Sequence, residues 1–275
     1  TTDTGVELWV VDIKSAQAKK LTEGKLNANM RDVINWFEDN SAVLVKMLPA
    51  TRKELINTAT AVPEGPTVSV SDGSKAQNRT YQDLLQNQSD IYNFEQLALS
   101  SLVKVGMDGS QTEWKGPKMY DNISFSPDGN YVMVTHIKKP FSYLVPYNRF
   151  PSESIIYDKT GNEVSKVNDV PLIEELPQGF MAEREGRREL SWRSDVPATL
   201  VYVEALDGGD PENEVPFRDQ VYMLPAPFKG EGKPLLKTKD RYAGIIWGDE
   251  NTAVVNDYWW NTRNTRTYVF DPSDL

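Results

Sequence analysis

The sequence predicts an all-β protein: a β-propeller fragment built of four-stranded antiparallel blades, about three whole and two partial. Three observations predict it. Apolar residues alternate with polar ones or come in short groups bounded by Gly, Pro, Asn and Asp, and helical periodicity is nearly absent. An inner-strand signature recurs: an aliphatic residue, any residue, an aromatic, then an acid that opens a short turn. Between its copies lies a second recurring signature, an apolar strand, a turn and a polar strand, as in the outer hairpin of a radially stacked blade.

Taken in order, Leu8-Trp9-Val10-Val11-Asp12 is the outer hairpin of a partial blade over residues 1–30. Ile34-Asn35-Trp36-Phe37-Glu38-Asp39 begins a blade over 31–118, followed by a strand over 42–45 and the outer hairpin Leu102-Val103-Lys104-Val105-Gly106-Met107-Asp108-Gly109. Ile123-Ser124-Phe125-Ser126-Pro127-Asp128, a strand over 131–135 and Ile155-Ile156-Tyr157-Asp158-Lys159-Thr160-Gly161 give a blade over 119–170. Leu190-Ser191-Trp192-Arg193-Ser194-Asp195, a strand over 199–203 and Val221-Tyr222-Met223-Leu224 give a blade over 186–240. Ile245-Ile246-Trp247-Gly248-Asp249, a strand over 253–255 and Thr267-Tyr268-Val269-Phe270-Asp271 give a partial blade over 241–275. In each inner signature the acid turns the chain, so Asp39, Asp128, Asp195 and Asp249 are expected to cap backbone N–H groups.

The aromatic anchors Trp36, Phe125, Trp192 and Trp247 lie further apart than the roughly 40 to 50 residues of a plain blade. The excess implies insertions at 49–78, 138–154 and 206–218, with Val62-Pro63-Glu64-Gly65-Pro66 as a rim loop. Short helical patterns over 81–87 and near 91–99 belong to a long insertion. A propeller needs about four blades to close, so both ends read as cuts through a larger ring. The alternative is a five-bladed ring closed by pairing the two terminal pieces.

With 275 residues and 39% hydrophobic content, the chain can bury an ordinary core. A net charge of −10 and the lack of any long Lys/Arg run argue against nucleic-acid binding. Apolar stretches are far shorter than the roughly 18 residues a membrane-spanning helix needs, so no membrane partner is expected. The absence of cysteine removes disulfides and thiolate metal ligands, and neither a metal nor a cofactor is expected. The opening Thr-Thr-Asp-Thr carries no export leader pattern.

Several long strings, in order, resemble the glutamyl endopeptidase branch of the prolyl oligopeptidase family. They are Gly5-Val6-Glu7-Leu8-Trp9-Val10-Val11-Asp12, Arg79-Thr80-Tyr81-Gln82-Asp83-Leu84-Leu85, and Lys139-Pro140-Phe141-Ser142-Tyr143-Leu144-Val145-Pro146-Tyr147-Asn148-Arg149-Phe150-Pro151. Further matches are Ser191-Trp192-Arg193, Pro197-Ala198-Thr199-Leu200, Val203-Glu204-Ala205-Leu206-Asp207-Gly208-Gly209-Asp210-Pro211 and Tyr258-Trp259-Trp260-Asn261-Thr262-Arg263. The resemblance implies an N-terminal propeller followed by an α/β-hydrolase domain with a Ser, Asp and His triad beyond Leu275. It implies a noncatalytic chain that caps the active site of a serine peptidase, filters peptide substrates, and has that hydrolase domain as partner. It also implies cleavage after Glu or Asp by the parent protein, and a periplasmic or otherwise exported location, with the cytoplasm left open. Self-association through exposed blade edges is expected of an open ring.

The residues themselves carry no catalytic set. Acyl transfer needs a base beside the nucleophile and a sharp G-x-S-x-G turn; neither is present, and the sole histidine, His136, reads as a strand-end residue. The acids Glu204, Asp207, Asp210, Glu212 and Glu214 do not follow calcium-loop spacing and read as a rim turn. Two alternatives stay open, a stand-alone protein-binding scaffold and a propeller glycosidase, the latter requiring acids that converge on the ring centre.

The candidate substrate contacts are Arg149, Tyr147, Arg184, Arg187 and Trp259. Arg149 lies between Tyr147 and Phe150 in the best-matching string, where a guanidinium could line the cavity or stack locally to hold its loop. Arg184 and Arg187 fall in a loop before an inner strand, able to meet an acidic peptide group by bidentate pairing or to form a solvated loop of screened charges. Trp259 and Trp260 are adjacent, so in a strand one would face each side.

Overall fold

The computed structural model describes residues 1–57 and 81–274, and the fold class holds: nearly all of the regular secondary structure is antiparallel β-strand in stacked blades. β1 (Trp9–Asp12) and β2 (Gln17–Lys20) form a hairpin. A seven-stranded sheet follows, ordered β3 (Ile34–Trp36), β4 (Ala42–Met47), β5 (Ser100–Gly106), β6 (Gln111–Phe125), β7 (Tyr131–Ile137), β8 (Ser152–Asp158) and β9 (Glu163–Val170). β10 (Arg188–Trp192), β11 (Thr199–Ala205), β12 (Asp219–Pro225) and β13 (Lys233–Thr238) make a four-stranded sheet. β14 (Arg241–Asp249), β15 (Thr252–Trp259) and β16 (Asn264–Phe270) make a three-stranded one. The insertion between β4 and β5 holds the helix α1 (Gln88–Ala98).

β6 is 15 residues long and serves two blades. Its first half pairs with β5, from Gln111↔Val105 to Lys118↔Ser100; its second half pairs with β7, from Met119↔Ile137 to Phe125↔Val132. It is the outermost strand of one four-stranded unit and the innermost of the next.

Period-2 alternation explains how the blades stack. From β4, Val43 and Val45 face the β1–β2 hairpin with Leu8, Leu21 and Leu26, while Ala42 and Leu44 face the next blade with Ile123, Val132 and Val134. Met133 and Ile156 on the far side of that blade meet Leu200, Tyr202 and Leu224. Val201, Val203 and Val221 then meet Ile245, Trp247 and Phe270 of the last sheet. Central strands are covered on both faces, which is why they read as continuous apolar runs. Lys46 in β4 is buried too; its ammonium donates to the carbonyls of Arg31 and Asp121, and burial pushes its pKa down to about 8.

The acid turns form as expected at three of four places. Asp39, Asp128 and Asp249 accept from the N–H of Ser41 (3.0 Å), Asn130 (3.1 Å) and Asn251 (3.0 Å). Asp195 instead takes a bidentate pair from Arg193, at 2.9 and 2.7 Å, because a guanidinium two residues away outcompetes a neutral N–H.

Three expectations are corrected. Trp36 is 51% exposed and Phe37 is 4%, so Phe37 is the anchor, edge-on to Phe125 at 5.0 Å. Trp36 shares the face of Val43, its partner across β3–β4, and Phe37 the opposite one, toward the next blade. Residues 81–87 hold no helix; α1 starts at Gln88, where the Asn87 side chain accepts from Asp90 N–H and caps the first turn. Trp260 lies in the turn after β15, so Trp259 and Trp260 are not opposed along one strand. The rim loop at 62–66, residues 79–80 of the second resembling string, and most of the insertion at 49–78 lie outside the described residues.

Candidate functional site

In an antiparallel blade, successive connections alternate between the two ends of the strands. One end carries the tight turns, and adjacent blades touch there through Asp128 N–H to Pro197 O at 3.1 Å. The other end gathers the long connections: β4 to β5 with α1, β7 to β8, β9 to β10 and β11 to β12. It also carries the turn after Trp259 and the β7–β8 connection with Tyr147 and Arg149.

The β7–β8 connection is docked on α1 by aromatic packing. Phe94 of the helix meets Phe141 and Phe150 edge-on at 5.1 and 5.6 Å, those two stack at 5.2 Å, and Lys139 pairs with Glu95 at 2.8 Å. Tyr147 joins this cluster 6.1 Å from Phe94. The Arg149 guanidinium lies over the Tyr81 ring at 5.2 Å, and the Arg149 carbonyl accepts from Ile173 N–H. Both residues thus help hold the loop.

Arg184 and Arg187 donate to main-chain carbonyls. Arg184 reaches the carbonyls of Glu185, at 2.9 Å, and of Arg187, and burial lowers its pKa. Arg187 bridges the carbonyls of Val167 (3.1 Å) and Gly230 (2.7 Å) and lies over the Tyr202 ring at 4.5 Å. They clamp the β9–β10 connection between two blades.

Sequence reasoning missed the largest polar feature of this end, a buried Arg–Asp network between the last two sheets. Asp207 accepts from Arg218 at 2.7 Å and Arg241 at 2.8 Å; Asp219 accepts from Arg241 at 3.1 Å and Tyr242 N–H at 2.7 Å, and pairs with Arg188. Arg241 is 2% exposed and also donates to Met181 O. Nearby, burial raises the Glu183 carboxyl pKa, against the pull of Arg188 and Arg241. The available signal was an Arg at the start of two inner strands, Arg188 and Arg241, with acids in the intervening connection.

On this base sits an open cavity of about 230 Å³, walled by Phe180, Met181, Pro211 and Trp259 with Gln178 and Asn261. Arg218 stacks on Trp259 at 3.9 Å while held by Asp207, and Phe180 lies 4.9 Å from the Trp260 ring. Of the five candidate contacts, Trp259 alone lines this cavity. His136 is in β7, its ring facing Lys118 (3.4 Å) and Glu153 (3.5 Å), and burial brings its pKa down to about 4.

Fold and surface together define a β-propeller with its long loops gathered at one end. Its sequence is similar, along nearly its whole length, to glutamyl endopeptidases, which bears out the resemblance read from the strings above. A protein of Oryza sativa subsp. japonica described as "Probable glutamyl endopeptidase, chloroplastic" is 38% identical over 273 residues, covering 97% of this chain and 29% of that protein. A protein of Arabidopsis thaliana with the same description is 38% identical over 271 residues, covering 96% of this chain and 28% of that protein. The chain therefore spans less than a third of the length of these relatives. Both are described as chloroplastic, a compartment other than the periplasm.

No protein-family model matches the chain. Among solved structures, an acylaminoacyl peptidase in complex with a chloromethyl ketone is similar at TM-score 0.52 and 9% identity, over 96% of this chain and 33% of that one. An oligogalacturonate lyase in complex with manganese is similar at TM-score 0.51 and 12% identity, over 96% of this chain and 56% of that one. Two activities so different on one architecture mean that these likenesses speak to the fold alone.

Proposed function

We propose that this chain is the noncatalytic propeller part of a prolyl-oligopeptidase-type serine peptidase, capping the active site and filtering and positioning peptide substrates. The observation that carries the reading is the 38% identity to glutamyl endopeptidases over 273 residues, on a propeller whose long loops share one end. The partner is an α/β-hydrolase domain of the same protein, seated on the long-loop end, and the parent protein cleaves after Glu or Asp. The physical filter is width: an opening that passes an extended strand stops a packed domain. Trp259 is placed in contact with the peptide, and Tyr147, Arg149, Arg184 and Arg187 hold the loops around the opening. The chloroplastic descriptions of the relatives support a plastid in place of the periplasm expected above, with the cytoplasm left open, and fractionation decides between them.

The test is a fluorogenic Glu-containing peptide assay on this chain and on the product of the complete reading frame. Activity in the longer product alone supports the reading. Activity in this chain, or a hydrolase domain that spares folded proteins equally well without it, overturns it.

A further inference from the structure

The cavity at Trp259 has a size and a wall chemistry that point to its occupant. At about 230 Å³ it falls below the roughly 300 to 1,000 Å³ of a site that encloses a whole small ligand. It fits one large side chain, with the rest of the ligand lying outside. Phe180, Met181, Pro211 and Trp259 offer that side chain apolar contact within a wall that is otherwise polar.

The rim is polar in a particular way. Gln178 and Asn261 present side-chain amides, each able to donate and accept, which is the complement of a peptide unit. Neither amide has a hydrogen-bond partner among the described residues, and Glu212 adds a further acceptor for an N–H. The walls are fixed from behind. Trp259 is backed by Arg218, itself held by Asp207, and the Met181 carbonyl is tied to the buried Arg241. A site whose walls are locked before binding loses little ordering entropy.

We propose that this cavity is a subsite for an extended peptide, taking one aromatic or large aliphatic side chain while Gln178 and Asn261 bond the flanking main chain. The inference rests on the reading that peptides reach the long-loop end, and it names the side-chain class recognised there. Arg241 and Asp207 are positioning residues for it; Trp259, Gln178 and Asn261 touch the peptide.

The experiment titrates the chain with blocked Gly-Phe-Gly, Gly-Leu-Gly and Gly-Ser-Gly peptides and follows the Trp259 indole N–H by NMR. Saturable shifts with the Phe and Leu peptides, at affinities on the order of 1 mM, and no saturation with the Ser peptide are expected. Gln178→Ala and Asn261→Ala, at exposed positions, each weaken binding about threefold to tenfold with the rest of the spectrum unchanged. Equal shifts with all three peptides, no saturation with any, or indifference to both substitutions overturns the subsite. Because nothing is hydrolysed in this titration, its failure is separate from failure of the gating reading, which the peptidase assay decides.

Discussion

His136 couples the fold to pH through burial. Its folded pKa of about 4 lies below the ordinary value of 6.5, since desolvation and Lys118 disfavour the imidazolium more than Glu153 favours it. A depressed pKa gives a contribution that is full above about pH 6.5 and is lost as pH falls toward 4. The loss of unfolding free energy between pH 7 and pH 4.5, taken from urea titrations, should therefore shrink in His136→Gln by about 2 kcal/mol. The turn acids act in a lower window: hydrogen bonds from Thr160 and Asn162 outweigh a desolvation penalty and hold Asp158 at about 2. At Arg241 the charge is buried and shared. Removing it in Arg241→Met leaves the carboxylates of Asp207 and Asp219 short of a cation and should cost about 3 to 5 kcal/mol. A double-mutant cycle with Asp207→Asn should show coupling above about 1 kcal/mol. The pairing of Arg241 with Asp207 was not legible in the sequence, because the two are 34 positions apart and only the packing of two sheets joins them.

For the elements, legibility followed how local the cause was. The Asp turns were readable because the acid and the N–H it caps are two residues apart. Trp36 and Phe37 were confused because alternation gives two faces without saying which one the neighbouring blade covers. The start of α1 was misplaced although its signal, Asn87 three residues before Asp90, stands in the sequence. That cap should matter beyond the helix, since α1 carries Phe94 and Glu95, which dock the β7–β8 connection. Asn87→Ala should cost about 1 kcal/mol. Hydrogen exchange should rise first in the opening turn of α1 and then at 139–150, while the strands keep their protection.

At the scale of the whole molecule, the repeat alone was enough to predict stacked antiparallel blades, since it is set by hydrophobic period and turn chemistry together. What it left out was the surface at the last sheet, where Ile246, Val254 and Val269 stand side by side across β14, β15 and β16, and Ile246 and Val269 are 66% and 73% exposed. An apolar stripe beside the unpaired edge of β16 favours self-association. Sedimentation of the chain at high concentration should show dimers or larger species, and Ile246→Lys with Val269→Lys should return it to monomer. A strictly monomeric unsubstituted chain would count against an open ring.

The sharing of β6 has a consequence for how the molecule comes apart. Elsewhere one blade passes the chain to the next through residues outside any strand, at 171–187 and 239–240, so no single ladder strand joins the two blades. Here a single continuous strand is hydrogen-bonded into two blades, and peeling it from either one drags at the register of the other. The amides of β4, β5, β7 and β8 should open together as one cooperative unit, slower than and separate from β14 to β16. On this expectation the chain opens as one two-blade block and its flanking sheets, not as a row of equal repeats.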